Sequence, residues 1–284
     1  DTDTDTDTDT DTDTDTDTDT DTDTDTTPSA QVSAGTFHSC GIDTSSTLQC
    51  WGSTDFVPTS PVEGTWSQVS AGYRHTCAVQ TDGQAQCWGD DDHGETTPPD
   101  KSDFTQVSSG AWFTCGLDTS GAVECWGYST DEPPAGTFTA ISAGSNFACG
   151  IATNQSIYCW GDDSYGQSSP PDGDFVQLSA GSIHACALDT SDTVQCWGSY
   201  NDGESTPPDD TFSHVDAGDY FSCGVDGKGS VQCWGYDAHG VVEDAPTTGS
   251  FEQVSAGGNH ACATTDDGEF DCWGDNTYGQ IITP

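Results

Sequence analysis

Short segments of alternating apolar and polar residues recur along most of the chain, and no stretch shows the 3.6-residue period of a helix. Segments such as residues 77–80 and 84–89 are too short for helices, and they flank turn residues such as Asp82 and Gly83. The pattern predicts β-strands joined by tight turns.

The segment around Asp82 predicts a hairpin with a three-residue loop. Gly83 takes the position where a left-handed residue closes a type I turn and bulge. In this register Cys77 faces Cys87, Ala78 faces Gln86, Val79 faces Ala85, and Gln80 faces Gln84. Glycine recurs at the loop position in other parts of the chain, as Gly121, Gly229 and Gly268.

Fourteen cysteines form seven pairs with a constant separation of ten residues, and the pairs recur every 34 to 39 residues. Directly opposed strand residues have Cα atoms ~4.5–5.5 Å apart, which a disulfide can span. Zinc sites favour closer cysteine spacing and four converging ligands, so one pair per repeat favours disulfides. Seven disulfides indicate an oxidising compartment, and therefore a secreted or cell-surface protein. The pairs are Cys40/Cys50, Cys77/Cys87, Cys115/Cys125, Cys149/Cys159, Cys186/Cys196, Cys223/Cys233 and Cys262/Cys272.

Seven repeat units fill residues 28–284. Their consensus reads aromatic-x-x-Val-Ser-Ala-Gly, then His or Phe two residues before the first cysteine, then a turn, Cys-Trp-Gly and an acidic loop. Repeats of about 37 residues with four short strands each predict an all-β, seven-bladed propeller. Residues 1–27 form a separate segment, predicted to be an extended stalk. We expect residues 30–34 and 278–283 to lie close together and to join the first and last blades.

The segments Val-Ser-Ala-Gly-x-x-His-x-Cys and Cys-Trp-Gly-Asp-x-x-x-Gly-Gln resemble the repeats of the regulator of chromosome condensation family, especially its secreted, cysteine-containing branch. The resemblance covers all seven units and implies a seven-bladed propeller. Members of this family act as nucleotide exchange factors, enzyme inhibitors, photoreceptors or surface modules, so the resemblance does not determine the function. The exchange factor works in a reducing nucleus, which does not suit a disulfide-rich chain.

Charge narrows the partners that the protein can bind. The net charge is −46, with 49 acidic residues against three bases, Arg74, Lys101 and Lys228. Such a surface repels nucleic acid and anionic lipid and favours cations or basic partners. No apolar run approaches the ~20 residues of a membrane span. The sequence contains no methionine and no signal peptide, as expected for a processed product or a fragment.

Two sets of repeated aromatic residues are first candidates for a site. His38, His75, His184 and His260 precede the first cysteine of their units, but Phe113, Phe147 and Phe221 replace them elsewhere. A position that accepts either ring predicts packing rather than catalysis or metal binding. The tryptophan beside each second cysteine recurs in every unit and predicts a core residue between blades. Trp66 and Trp112 break the repeat and are the better candidates for a surface site where a tryptophan ring stacks on a sugar or cofactor. The repeated tryptophans are Trp51, Trp88, Trp126, Trp160, Trp197, Trp234 and Trp273.

Acidic loops at residues 90–92, 162–163 and 209–210 could attract Ca²⁺, as could the stalk, but they lack the ligand order of an EF-hand. No metal site or cofactor is therefore predicted. Motifs of hydrolases, zinc peptidases and phosphate-binding loops do not occur, so we do not expect an enzyme and name no catalytic residue. Asn154, Gln155 and Ser156 form an N-glycosylation sequon on a hairpin turn of the fourth unit.

The first 26 residues alternate thirteen Asp with thirteen Thr. A segment without apolar residues cannot bury a core. Threonine at every second position is typical of densely O-glycosylated stalks, and the segment resembles the peptide core of glycan-coated extracellular fibrils. We expect sugar, rather than backbone pairing, to keep it extended; bridging cations, pairing with other chains and a plain acidic linker are the alternatives. The predicted O-glycosylation sites are Thr2, Thr4, Thr6, Thr8, Thr10, Thr12, Thr14, Thr16, Thr18, Thr20, Thr22, Thr24 and Thr26.

Two functions of different classes follow from these features. The first is an extracellular structural protein, in which a glycosylated stalk or fibril of several copies carries a propeller head that caps or anchors it. The second is an extracellular binding module whose propeller loops capture a protein or carbohydrate. Sugar on the threonines would favour the first function.

Overall fold

The computed structural model describes residues 29–55, 62–128 and 131–284, so the stalk lies outside the described residues. Within these ranges, 21 strands form seven antiparallel sheets of three consecutive strands each. Each sheet is one blade. The chain is thus all-β, as predicted, with one short 3-10 helix at Ala238–Gly240.

The first strand of each blade lines a central cavity and is called the inner strand below. The inner strands are β1 (Gln31–Ala34), β4 (Trp66–Ala71), β7 (Phe104–Ser109), β10 (Phe138–Ala143), β13 (Phe175–Ala180), β16 (Phe212–Ala217) and β19 (Phe251–Ala256). The middle strands are β2 (His38–Ile42), β5 (His75–Gln80), β8 (Phe113–Asp118), β11 (Phe147–Ala152), β14 (His184–Asp189), β17 (Phe221–Asp226) and β20 (His260–Thr265). The outer strands are β3 (Leu48–Gly52), β6 (Ala85–Gly89), β9 (Val123–Gly127), β12 (Ile157–Gly161), β15 (Val194–Gly198), β18 (Val231–Gly235) and β21 (Phe270–Gly274).

The middle and outer strands pair in the register that the sequence predicts. Cys77 lies opposite Cys87 and Val79 opposite Ala85. Gly83 has a φ of 86° in the turn that joins these strands, a conformation that favours glycine. The predicted register of this hairpin is therefore confirmed.

Each of the seven cysteine pairs forms a disulfide within its own blade, so one disulfide per blade is confirmed. The Cα atoms of each pair lie 4.0 to 4.1 Å apart, which is closer than the ~4.5–5.5 Å that we expected for opposed strand residues. The bridge draws the two strands together at this point. The bonded pairs are Cys40–Cys50, Cys77–Cys87, Cys115–Cys125, Cys149–Cys159, Cys186–Cys196, Cys223–Cys233 and Cys262–Cys272.

The two cysteines of each bridge differ in burial, which the repeat pattern did not predict. The cysteine on the middle strand is fully buried in every blade, because it lies between its own blade and a neighbouring one. The cysteine on the outer strand is only half-buried, because this strand lies at the rim of the propeller. The half-buried cysteines are Cys50, Cys87, Cys125, Cys159, Cys196, Cys233 and Cys272.

The expected fourth strand is absent from the blades that the structure describes in full. The chain between one outer strand and the next inner strand forms loops, with isolated bridges such as Thr193 to Thr211. Proline pairs at residues 98–99, 170–171 and 207–208 lie in these connections. Residues 133–134 form a fourth such pair. Proline has no N–H to donate to a ladder, so each pair disfavours a regular fourth strand in its connection.

The hydrophobic core is divided into clusters that lie between neighbouring blades. Phe104 of the third blade, for example, packs on Cys77, Val79 and Ala85 of the second. Gly116 leaves room for the same ring, because a Cβ atom there would meet Phe104 at 2.3 Å. Each blade thus covers the apolar face of the blade before it.

Side chains of the inner strands also join the blades by hydrogen bonds. At every junction a Ser or Asp oxygen accepts the backbone N–H of the next inner strand, as Ser33 does from Ala71 at 2.9 Å. Gln68 accepts the Val107 N–H and donates to its carbonyl oxygen. The seven acceptors are Ser33, Ser70, Ser108, Ser142, Ser179, Asp216 and Ser255.

The ring closes between the last and first blades through the same type of contact. Ser255 accepts the Ala34 N–H and Gln253 the Val32 N–H. At the C-terminal end, the Gln280 carbonyl oxygen accepts hydrogen bonds from Ser39 and Trp51. Both predicted segments therefore join blades one and seven, but through different strands. Because every described blade consists of consecutive strands, none combines strands from both ends of the chain.

The propeller has two distinct faces. The loop face carries the inner-to-middle turns and the segments after the outer strands, which are tied together by backbone bonds such as Asp90 N–H to the Arg74 carbonyl. The hairpin face carries the middle-to-outer turns. A Cβ atom at Gly268, in such a turn, would lie 3.8 Å from Ala30. The described chain therefore begins on the hairpin face.

Candidate binding face

Six aromatic side chains form a continuous row of ring contacts across the loop face. Neighbouring ring centroids lie 5.1 to 5.5 Å apart, and their planes are inclined by 56 to 75°. The row, called the aromatic row below, crosses blades seven, one, two and three in the order Tyr278, Phe37, Tyr73, Trp112, His93 and Tyr128.

Local hydrogen bonds hold the loops that present this row. In the second blade, the Glu95 carboxylate accepts the His93 N–H at 2.8 Å, and Asp91 accepts the Thr96 N–H at 2.9 Å. Gly94 between them has a φ of 85°, which again favours glycine. The Asp-x-x-x-Gly-Gln motif of the seventh blade holds Tyr278 in the same way, through the Gln280 side chain. The repeated motif thus forms a compact loop with its variable aromatic residue outward.

The row combines exposed and half-buried rings. Tyr128 and Tyr278 are 58% and 50% exposed, whereas Phe37, Tyr73 and Trp112 are half-buried. Aromatic rings in contact pack favourably against one another. The half-buried members support the exposed ones, and the row forms an ordered apolar strip on a strongly acidic protein.

Charged groups of both signs lie beside the row. The Arg74 guanidinium lies 5.1 Å from the centre of the Tyr73 ring. Exposed Asp91 and Asp92 precede His93 in the chain. Hydrogen bonds from Thr96 hold the pKa of Asp91 below its ordinary value, so this carboxylate is ionised at neutral pH. The loop that carries His93 is therefore negatively charged.

The four repeated histidines lie in the blade interfaces and outside the aromatic row. Each is fully buried, and burial lowers the pKa of His184, for example, to about 4. Their Nε2 atoms meet a hydroxyl group of the next blade at 2.6 to 2.9 Å. The Ser222 hydroxyl also donates to the Glu204 carbonyl oxygen, so His184 donates through Nε2. The pairs are His38–Thr76, His75–Thr114, His184–Ser222 and His260–Ser39.

A matching substitution accompanies phenylalanine at this position. Where a blade carries Phe in place of His, the next blade carries Ala in place of the hydroxyl residue, in the pairs Phe113–Ala148, Phe147–Ala185 and Phe221–Ala261. The expectation of a packing role is therefore incomplete, since each histidine also forms a hydrogen bond with the next blade. The sequence contains the signal for this hydrogen bond, because the residue that pairs with each His or Phe lies one repeat further along the chain.

The repeated tryptophans lie between blades, as predicted. Five of them donate their indole N–H to a carbonyl oxygen in the loop of the preceding blade at 2.8 to 2.9 Å. The prediction for Trp66 was wrong, because this residue is 1% exposed. It occupies the buried aromatic position that begins the inner strand, where Phe104 stands in the next blade. Trp112 belongs to the aromatic row.

The acidic loops use their carboxylates within the loop. Asp162 accepts hydrogen bonds from Ser164 and Gln167, and Asp163 from Ser168. Asp210 accepts the Gln232 side chain. In the ranges that the structure describes, no group of three or more His, Cys, Asp or Glu is arranged to hold a metal ion.

The central cavity has a volume of about 250 Å³ and is lined mainly by small and amide side chains. The sixth blade differs, with His214, Asp216 and Asp219 on the wall. Burial raises the pKa of Asp216 to about 6, even though Ser179 and Ser255 donate to it. Asp216 accepts the Ala256 N–H of the next inner strand, as a serine does at the other junctions.

The predicted modification sites lie in two parts of the chain, of which the structure describes one. The threonines of the stalk lie outside the described residues. Asn154 is exposed on a hairpin turn, where its Oδ1 accepts the Ser156 N–H at 3.2 Å. Its glycosylation stays a prediction.

Comparison with known proteins agrees with the repeat analysis. The model of the regulator of chromosome condensation (RCC1) repeat matches seven times, at residues 30–56, 66–95, 104–131, 138–167, 175–204, 212–241 and 251–280. No curated protein matches the sequence.

Solved structures of similar fold include two plant receptor ectodomains. The CRINKLY WD40 ectodomain of the Arabidopsis thaliana receptor kinase ACR4 is 26% identical, with a TM-score of 0.75 over 90% of this chain and 100% of that one. The entire ectodomain of the Physcomitrella patens receptor kinase CR4 is 24% identical, with a TM-score of 0.76 over 87% and 73%. Prp20p of Saccharomyces cerevisiae is 17% identical, with a TM-score of 0.69 over 80% of each chain.

Proposed function

Since this chain belongs to the regulator of chromosome condensation repeat family, we propose that it is an extracellular binding module whose loop face takes up a partner. The observation that carries the proposal is the aromatic row, a strip of six rings in mutual contact on a strongly acidic protein. Exposed apolar strips with a polar rim mark interaction sites.

Two features support an extracellular location, the disulfides and the similar ectodomain structures. Every blade carries a disulfide, and such bonds persist in oxidising compartments. Two similar structures are ectodomains of receptor kinases. No helix in the described parts of the chain has the length and apolar character needed to cross a membrane.

Binding fits the family better than catalysis does. Neither the matched repeat nor the similar ectodomain structures indicate a catalytic family. The buried histidines form hydrogen bonds across blade interfaces, and burial lowers the pKa of each to between about 3 and 4. The repeated histidines, which were the first candidates for catalysis, therefore stabilise the closed propeller.

Photo-crosslinking tests the proposed face. A photoreactive amino acid would replace Tyr128 on the loop face or, as the matched control, exposed Gln84 on the hairpin face. Each protein would be irradiated in the extracellular fluid of its source. We expect a discrete crosslinked product from position 128 alone. Equal products from both positions, or products from position 84 alone, contradict the proposal.

The structural function remains a second proposal, which the perfect Asp-Thr repeat favours. In this proposal, residues 1–27 are an O-glycosylated stalk, residues 28–284 are its propeller head, and several copies assemble into a fibril. Ala30 lies on the hairpin face, so the loop face points away from the start of the described chain. Intact mass before and after chemical deglycosylation tests this proposal, and an unchanged mass rejects the glycosylated stalk.

A further inference from the structure

We infer that the aromatic row binds arginine or lysine side chains of a basic protein segment. The inference rests on the proposed function, because it names the partner class of the same loop face. Protein charge gives the first reason. With three bases against 49 acidic residues, the chain attracts a cationic partner and repels an anionic one.

The protein's own arginine already places a cation against one ring of the row. The Arg74 guanidinium lies 5.1 Å from the centre of the Tyr73 ring, within the ~6 Å range of cation–π contacts. Tyr73 contacts both Phe37 and Trp112, so this cation lies against the middle of the row. Rings further along the row, at Trp112 and Tyr128, offer further positions of the same kind.

Carboxylates beside the row add a second type of contact. Asp91 and Asp92 are exposed in the loop that carries His93, and His93 contacts both Trp112 and Tyr128. A guanidinium bound to one of these rings would also be attracted by the negative charge of this loop, and that attraction adds to the ring contact. Paired π faces and carboxylates suit arginine and lysine.

The ring geometry favours a basic segment over a sugar chain. The planes of neighbouring rings are inclined by 56 to 75°, so the row does not present one flat platform along which successive sugar rings could stack. Separate rings at an angle suit side chains that reach the surface one at a time.

Isothermal titration calorimetry with a defined peptide tests this inference. The probe is a hexapeptide of alternating Gly and Arg, and its control replaces each Arg by citrulline, which keeps the shape and removes the charge. We expect the Arg peptide to bind and the citrulline peptide to bind at least tenfold more weakly. Raising the salt concentration should weaken the complex, because screening reduces exposed charge contacts.

Matched variants separate the row from the general acidity of the protein. Trp112→Ala should weaken Arg-peptide binding about five- to tenfold, the range of a partly desolvated cation–π contact. Trp112→Phe, which keeps a ring, should weaken it less. Tyr200→Ala, at an exposed tyrosine of the fifth blade outside the row, should have no effect. Unfolding of each variant followed by circular dichroism shows whether the fold is retained.

The outcomes distinguish this inference from the function on which it rests. Equal binding of the Arg peptide to the parent protein and Trp112→Ala overturns the inference, because surface charge alone then explains binding. Binding of neutral cellohexaose that Trp112→Ala abolishes also overturns it, but leaves the loop face as a binding site. Binding of neither ligand counts against both.

Discussion

The blade interfaces are specified by pairs of residues that lie one repeat apart. His184 donates to Ser222, whereas Phe147 meets Ala185 at the same position of the preceding junction. A buried donor without an acceptor costs about 1–3 kcal/mol, whereas two apolar partners leave no polar group unpaired. The choice of His or Phe is therefore coupled to the residue that follows in the next blade.

This coupling predicts the outcome of a double-mutant cycle. Ser222→Ala should lower the free energy of unfolding by about 1–3 kcal/mol, because it leaves the His184 N–H without its acceptor. His184→Phe combined with Ser222→Ala should recover most of the loss, since it reproduces the Phe147–Ala185 pair. Urea unfolding gives both values. Additive losses in the double variant would show that the two residues act independently.

The same pair predicts a pH effect of known sign. Burial lowers the pKa of His184 to about 4, from an ordinary value of 6.5. Between these values the unfolded chain binds a proton that the folded protein excludes, so stability falls as the pH falls from about 6.5 to about 4.

The variant that combines His184→Phe with Ser222→Ala has no histidine at this position, so it lacks this loss of stability on acidification. Its stability relative to the parent should rise on acidification, by at most about 1.4 kcal/mol per pH unit. Urea unfolding of both proteins at pH 7 and pH 5 measures the change. A difference that does not vary with pH would mean that His184 titrates alike in the folded and unfolded states.

At the scale of strands, the junction between the fourth and fifth blades differs from its neighbours. Ala140 replaces the glutamine that bridges to the next inner strand at most junctions, so no side chain from this position reaches Leu178. Leu178 is half-buried, whereas Val107 and Val215 at the same position are 1% and 0% exposed. Of the inner-strand bonds found at other junctions, the Ser142 contact to Ala180 is retained here.

Restoring the glutamine should strengthen this junction. Ala140→Gln adds an acceptor for the Leu178 N–H and a donor for its carbonyl oxygen, as Gln106 provides for Ile141. We expect a gain of about 0.5–1.5 kcal/mol for each hydrogen bond, measured by thermal unfolding. Gln106→Ala is the matched control and should lower the melting temperature. A destabilised Ala140→Gln protein would show that the junction has no room for the side chain.

Features that depend on residues close together in the sequence could be predicted. Features that depend on closure of the propeller could not. The register of Cys77 with Cys87 follows from one turn, so the disulfides could be predicted. The aromatic row could not, because Phe37 and Tyr278 come from opposite ends of the chain and meet only after closure. The burial of Trp66 could have been predicted from the sequence, because this residue is the aromatic residue that begins the repeat motif. The fourth strand is absent from the blades described in full, where proline pairs remove backbone N–H donors from the connections.

For the whole molecule, the disulfides stabilise blades rather than the contacts between them. Each bridge closes a loop of about ten residues within one hairpin, worth ~2.5–3 kcal/mol in the chain-entropy model. Reduction should therefore lower the melting temperature markedly, as followed by circular dichroism with and without reductant. Titration of free thiols in the native protein should find at most two. An unchanged melting temperature after complete reduction would contradict this role.

The closure of the ring has a consequence for the order of the blades along the chain. The junction between blades seven and one uses the same serine, glutamine, histidine and tryptophan contacts as the junctions within the chain. Because each described blade is a continuous segment, the boundary between blades seven and one separates two sheets and divides none. The described propeller is therefore circularly permutable in principle: the covalent break could be moved to any interblade loop, and the noncovalent ring would remain the same.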